Sequence, residues 1–153
     1  MIHRIEFTDI ASLPQFVGHE AISDWRVIDQ DMINRFASAT GDLQWIHIDE
    51  ARARRESPFG TTVAHGYLTL SLIPSLLQSS ITPPKLRLSL NYGLNRVRFP
   101  GPVPAGSHLR GRFKLAAVEP VEGGFQLVWN AILDVQGHDK PVCVAELVTR
   151  WMG

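Results

Sequence analysis

The chain has 153 residues, 44% of them hydrophobic, and its 15 basic and 15 acidic residues cancel to a formal charge of zero. That length suits one domain, spanning 1–153, with a sizeable core, and the even balance leaves no global electrostatic footprint for nucleic acid or an anionic membrane. A single cysteine, Cys143, excludes an internal disulfide and any zinc site built on cysteine pairs, and it fits a reducing, cytoplasmic setting.

The first ten residues hold no apolar run of signal-peptide length. The longest apolar run, near Tyr67–Leu77, is interrupted by Thr69, Ser71, Pro74 and Ser75, and it is shorter than the ~20 residues of a membrane span. Thr8 can cap a short helix over Asp9–Val17, stopped by Gly18 and kept brief or bent by Pro14. Ser23–Val27 reads as a short strand. Asp29 is an N-cap signal, with Ile28 and Ile33 placed for a hydrophobic staple. Met32, Ile33, Phe36 and Ala37 line one helical face, and Gly41 ends the helix. Asp42–Ile48 reads as a loop. Asp49 can cap another short helix, in which Glu50 and Arg54 stand at i,i+4.

Ala64–Ser79 carries Leu68, Leu70, Leu72, Ile73, Leu76 and Leu77, apolar nearly all round, as in a buried helix. Pro74 should kink it or shift its hydrogen bonding. After Thr82-Pro83-Pro84 the period becomes two. Leu86, Leu88, Leu90, Tyr92 and Leu94 alternate with polar residues, and then the parity flips to Val97 and Phe99, which predicts a β-bulge near Gly93–Arg96. Leu109–Ala117, Phe125–Val135 and Val142–Trp151 supply three more strands, the last with a mixed pattern that suggests burial on both faces or partial cover by a partner. An antiparallel sheet with one apolar face needs a cover, and the apolar helix is the element long enough to provide it. The expected class is α+β, a curved antiparallel sheet around one central buried helix.

Asp42 and His47 lie five residues apart. On an ideal helix they point in different directions, but in a loop they can converge on one water as a general acid–base pair. Spacing alone fits Asp42 bracing the loop and His47 serving as a satisfied structural histidine at least as well. Gly66 stands at the start of the apolar helix, where a free backbone N–H and the helix dipole can hold a polarised carbonyl oxygen. The alternative is close packing of the helix start on the sheet. His65 can hydrogen-bond the loop without taking part in chemistry. Asp42, His47, Asp49 and His65 also have the order of a facial-triad metal site. Such triads sit on barrel strands, whereas these residues sit in helical and loop segments, and no metal is expected. Arg96, Arg98, Arg110, Arg112 and Lys114 lie on strand segments, where a solvated face is the ordinary reading and phosphate contact the alternative. Trp45 and Trp129 read as packing residues.

The run Phe36-Ala37-x-x-Thr40-Gly41-Asp42-x-Gln44-Trp45-Ile46-His47-x-Asp49, followed by Phe59-Gly60-x-x-Val63-Ala64-His65-Gly66, resembles the MaoC-like dehydratases, the (R)-specific enoyl-CoA hydratases of the hot-dog fold. Asn91–Pro100 resembles the single-domain branch that includes the NodN-like proteins. The resemblance implies a hot-dog fold, a dimer with its site near the subunit interface, and an acyl-CoA substrate without further cofactor. It implies Asp42 and His47 as the acid–base pair and the Gly66 N–H as oxyanion donor, with Gln44 and His65 in support. The common pattern has Asn-Pro where this chain has Gln44-Trp45, so the amide that helps hold the acid has a longer reach here. The expected reaction is reversible syn-hydration of a trans-2-enoyl-CoA to an (R)-3-hydroxyacyl-CoA. The rivals are an acyl-CoA thioesterase and a non-catalytic, acyl-binding NodN-like protein.

Overall fold

The computed structural model describes residues 3–153; Met1 and Ile2, the first residues of the stretch read for a signal peptide, lie outside the described residues. β1 (Ile5–Glu6) leads into a 3-10 helix, Ile10–Phe16. Its cap is Asp9 and not Thr8: the Asp9 carboxylate accepts from the Ser12 N–H at 2.8 Å, while the Thr8 hydroxyl is engaged with the Ser12 hydroxyl. Pro14 inside the segment keeps it short. The strand expected over Ser23–Val27 is replaced by two, β2 (Glu20–Ile22) and β3 (Arg26–Ile28). Ser23 bonds Gly111 through both its N–H and its hydroxyl, which interrupts the ladder between them.

α1 (Gln30–Thr40) begins at Asp29, whose carboxylate accepts from the Met32 N–H at 2.8 Å, and Ile28 and Ile33 are both buried. It ends at Gly41, whose φ of 80° a side chain would strain. The expected loop over Asp42–Ile48 is shorter than read, because Trp45–Ile48 forms a one-turn helix, α2. α3 (Glu50–Glu56) is capped by Asp49, and its ion pair is Arg52–Glu56 at 2.9 Å, in place of Glu50–Arg54.

The apolar segment is a helix in two pieces, α4 (Gly66–Ser71) and α5 (Ile73–Ser80), joined at Leu72 with Pro74 in the first turn of the second. There the missing proline N–H leaves no bond unmade. Leu68, Leu72, Ile73, Leu76 and Leu77 enter one core with Leu115, Leu127, Trp129, Leu147 and Trp151. Each such side chain contributes roughly 1.5–3 kcal/mol on burial. The helix is not buried all round: Tyr67, Ser71, Ser75, Gln78 and Ser79 are exposed on the single chain.

β4 (Ile81–Thr82) pairs in parallel with β1. The main sheet holds β5 (Leu88–Arg98), β6 (Ser107–Val121), β7 (Gly124–Val135) and β8 (Cys143–Met152) in the order β2-β6-β7-β8-β5, with β3 also on β6. All its neighbours are antiparallel. The β5–β8 register slips between Asn91 and Gly93 and again between Leu94 and Arg96, where the parity of the sequence flips. β8 lies between β7 and β5, and its burial is less mixed than expected: Cys143, Ala145, Leu147, Thr149 and Trp151 are buried, and of the opposite face only Val148 is. A sheet laid against one central helical segment is the hot-dog arrangement that was expected. One difference is informative: the apolar row of β5 stays exposed, with Leu88 41%, Leu90 42%, Tyr92 58% and Leu94 41% accessible. Among the described residues β5 is an edge strand, paired on one side only.

Candidate active site

Asp42 follows Gly41 directly, so the left-handed turn that ends α1 throws it out of the helix into a short loop. Its carboxylate accepts from the Gln44 N–H at 3.4 Å, and the residue is exposed. Gln44 therefore supports Asp42 through its backbone; its side chain makes no capping bond to α2. The one-turn α2 then carries His47 inward, where it is 7% exposed.

The His47 ring is fixed from several elements. Nδ1 donates to the Val63 carbonyl at 2.7 Å, which leaves Nε2 as the nitrogen with a free lone pair. The His47 carbonyl accepts from Gln30 Nε2 at 2.7 Å, and the Gln30 amide oxygen accepts from the Thr62 hydroxyl in a short bond. Gln30 thus ties α1, α2 and the segment before α4 together. No sequence signal marks Gln30 or Thr62 for this role, since only the fold brings them together. Val63 is held in turn by its N–H on Ile46 and by a bridge to Pro104. Burial holds the His47 pKa below its ordinary value; the bond to Val63 opposes this, His65 adds to it, and Asp42 opposes it more weakly.

His65 occupies the position before α4 without a side-chain capping bond and is 2% exposed. Its ring stacks on His47 at 3.8 Å between centroids with 23° between planes, and Phe36 packs against it at 4.9 Å. Nε2 donates to the Asp42 carbonyl at 3.0 Å, while Nδ1 is buried without a partner. Gly66 opens α4, so its N–H belongs to the first turn, which lacks intrahelical acceptors. A Cβ there would stand 2.9 Å from the Phe99 ring, so glycine lets that ring lie on the helix start. Phe99, Phe59, Val63 and Pro102 wall an open cleft of about 440 Å³ beside Gly66.

Asp42, His47 and His65 converge, each offering an atom within 4.8 Å of the others. Asp49 does not join them; its carboxylate caps α3 on the Arg52 N–H at 3.0 Å. A cation bonded to imidazole lies close to the ring plane at about 2.0–2.1 Å, so chelation by both stacked histidines would require the stack to open. Three of the five strand basic residues are engaged elsewhere: Arg112 pairs with Asp134 at 2.6 Å, Arg110 lies over Trp25, and Arg98 bonds the Val97 carbonyl. Trp129 is wholly buried in the core, and Trp45 is half-buried under the Arg52 guanidinium.

A family model described as a MaoC like domain matches residues 15–129. The chain is 45% identical over 148 residues to the 3-hydroxyacyl-thioester dehydratase Z of Mycobacterium tuberculosis, covering 95% of this chain and 97% of that protein. It is 42% identical over 146 residues to nodulation protein N of Rhizobium leguminosarum bv. viciae, covering 92% and 89% respectively. Its fold is similar to that of the unliganded R-hydratase PhaJ1 from Pseudomonas aeruginosa, with a TM-score of 0.74 at 24% identity, over 89% of this chain and 81% of that one.

Proposed function

The chain belongs to the MaoC-like dehydratase family, and from that premise we propose that it catalyses the reversible syn-hydration of a trans-2-enoyl thioester to the (R)-3-hydroxyacyl thioester, with acyl-CoA as the substrate form. Its family and relatives support a dehydratase or hydratase role, that of a hydro-lyase. Asp42 and His47 hold one water between them. His47 Nε2 takes a proton from that water as its oxygen bonds to C3, and the pair returns a proton to C2 on the same face. The electron pair of the double bond moves onto the thioester oxygen as an enolate, which the Gly66 N–H stabilises before C2 is protonated. Water is added whole, so neither a redox partner nor a metal enters the balance.

The observation that carries this reading is the state of His47. Its Nδ1 is committed to the Val63 carbonyl, which leaves Nε2 with the free lone pair, a ring nitrogen of His47 and the Asp42 carboxylate lie within 4.8 Å of each other, and burial favours the neutral form that a base requires. Removing a proton-transfer group typically costs 10²–10⁴-fold. Asp42→Ala and His47→Ala should therefore lose crotonyl-CoA hydration by at least about 100-fold, with an unchanged circular-dichroism spectrum. Full activity in either variant would overturn the assignment. Free thiol released from saturated acyl-CoA would instead indicate a thioesterase, and tight acyl-CoA binding without turnover would indicate a binding protein.

The same reading places two copies of the chain together across β5. Its exposed apolar row and unpaired backbone edge are surfaces that soluble proteins normally cover.

A further inference from the structure

Resting on that reading and deepening it, we propose that His65 is the positioning residue of the pair: its Nε2–H anchors the main chain of Asp42 while its ring sets the plane of His47. His65 is itself rigidly placed. Its carbonyl accepts from the N–H groups of Leu68 and Thr69 at 3.1 Å each, so its backbone is part of the first turn of α4. One ring face lies on His47 and Phe36 packs nearby, in a setting only 2% exposed. Asp42, by contrast, sits in an exposed loop where its carboxylate has only a long bond of 3.4 Å to the Gln44 N–H. The 3.0 Å bond from His65 to the Asp42 carbonyl is the stronger tether.

The orphaned nitrogen argues in the same direction. His65 Nδ1 is buried with no partner, a cost that a leucine or phenylalanine of similar volume would avoid. A residue present for packing alone would not strand a nitrogen, so the compensating contact is the one Nε2 makes. Displacement of a catalytic group by about 1 Å can lower turnover on the order of 10²-fold, which makes such a tether valuable to the reaction.

The test compares wild type, His65→Leu and His65→Gln in crotonyl-CoA hydration across pH. Leucine removes both the tether and the aromatic stack. Glutamine places its Nε2 near that of histidine and restores the tether alone. His65→Leu should lose about tenfold or more in kcat with KM little changed, and His65→Gln should recover most of that loss. The titratable groups facing the His47 ring are His65 and Asp42, and His65 lowers the His47 pKa. Both variants should therefore shift the acidic limb of the rate profile to higher pH. The pKa of His47, read by ¹⁵N NMR in the resting protein, should rise with it. Wild-type turnover in His65→Leu, a loss confined to KM, or an unmoved His47 titration would each overturn the proposal. A wild-type protein that hydrates no enoyl thioester would defeat the proposed function instead, and the tether would still be read from the backbone amide shifts of Asp42 and Leu43, which should move in His65→Leu and return in His65→Gln.

Discussion

At His47, burial and hydrogen bonding act on one ring in opposite directions. Burial disfavours the imidazolium and is the largest effect, and the Val63 carbonyl favours it less strongly. The folded pKa is therefore below the unfolded one of about 6.5. Between these values the unfolded chain binds more protons, so the stability from a neutral His47 is complete above about pH 6.5 and is lost as pH falls towards the folded pKa. Urea titrations at pH 7 and pH 5 should show a larger acid loss for wild type than for His47→Gln, with a slope of at most about 1.4 kcal/mol per pH unit from this one group. Equal losses would contradict the assignment. Asp42 and His47 were readable as a pair because both residue types and their spacing suit a shared water. Gln30 was not, because its amide reaches the His47 carbonyl only after α1 and α2 have packed.

At the level of elements, α1 is the platform of the site. Its N-terminus carries Gln30 and its C-terminus releases Asp42, so its length and phase set where both arrive. The Asp29 cap and the Gly41 stop were both legible, since each acts within a few residues of its own position. Asp29→Ala should cost about 1 kcal/mol, seen as a lower urea midpoint with an unchanged m-value. An unchanged midpoint would mean that the cap contributes nothing net. The one-turn α2 was missed because four residues carry too little periodicity to read, and it is held by distant contacts, among them the bonds of His47 and Ile46 to Val63 and of Gln30 to the His47 carbonyl. The break at Leu72 was anticipated from Pro74, whose ring excludes a preceding-turn carbonyl whatever surrounds it.

For the whole molecule, β5 is the exposed edge of the sheet. Leu88, Leu90 and Tyr92 are exposed among the described residues, whereas past the register slip Leu94 pairs with the buried Leu147 and lines a cleft with Leu70, Ile73 and Pro74. Arg150 braces this edge by lying 3.6 Å from the centroid of the Tyr92 ring. Light scattering at micromolar concentration should give twice the chain mass, and Leu90→Lys should return it towards the monomer without unfolding it. A wild-type monomer would contradict the dimer.

The linear order of residues determined the elements and their faces: the Asp29 cap, the proline break, the strand alternations, and the parity flip that became a double register slip in β5. These depend on forces that act within a few residues, such as capping bonds, steric exclusion and the alternation of side chains along a strand. Only the tertiary structure decided that His65 would stack on His47 and bond Asp42, that Gln30 would reach the His47 carbonyl, and that Leu88 and Leu90 of β5 would stay exposed. Those outcomes depend on how helices and strands distant in sequence pack around one core, and no local pattern encodes that.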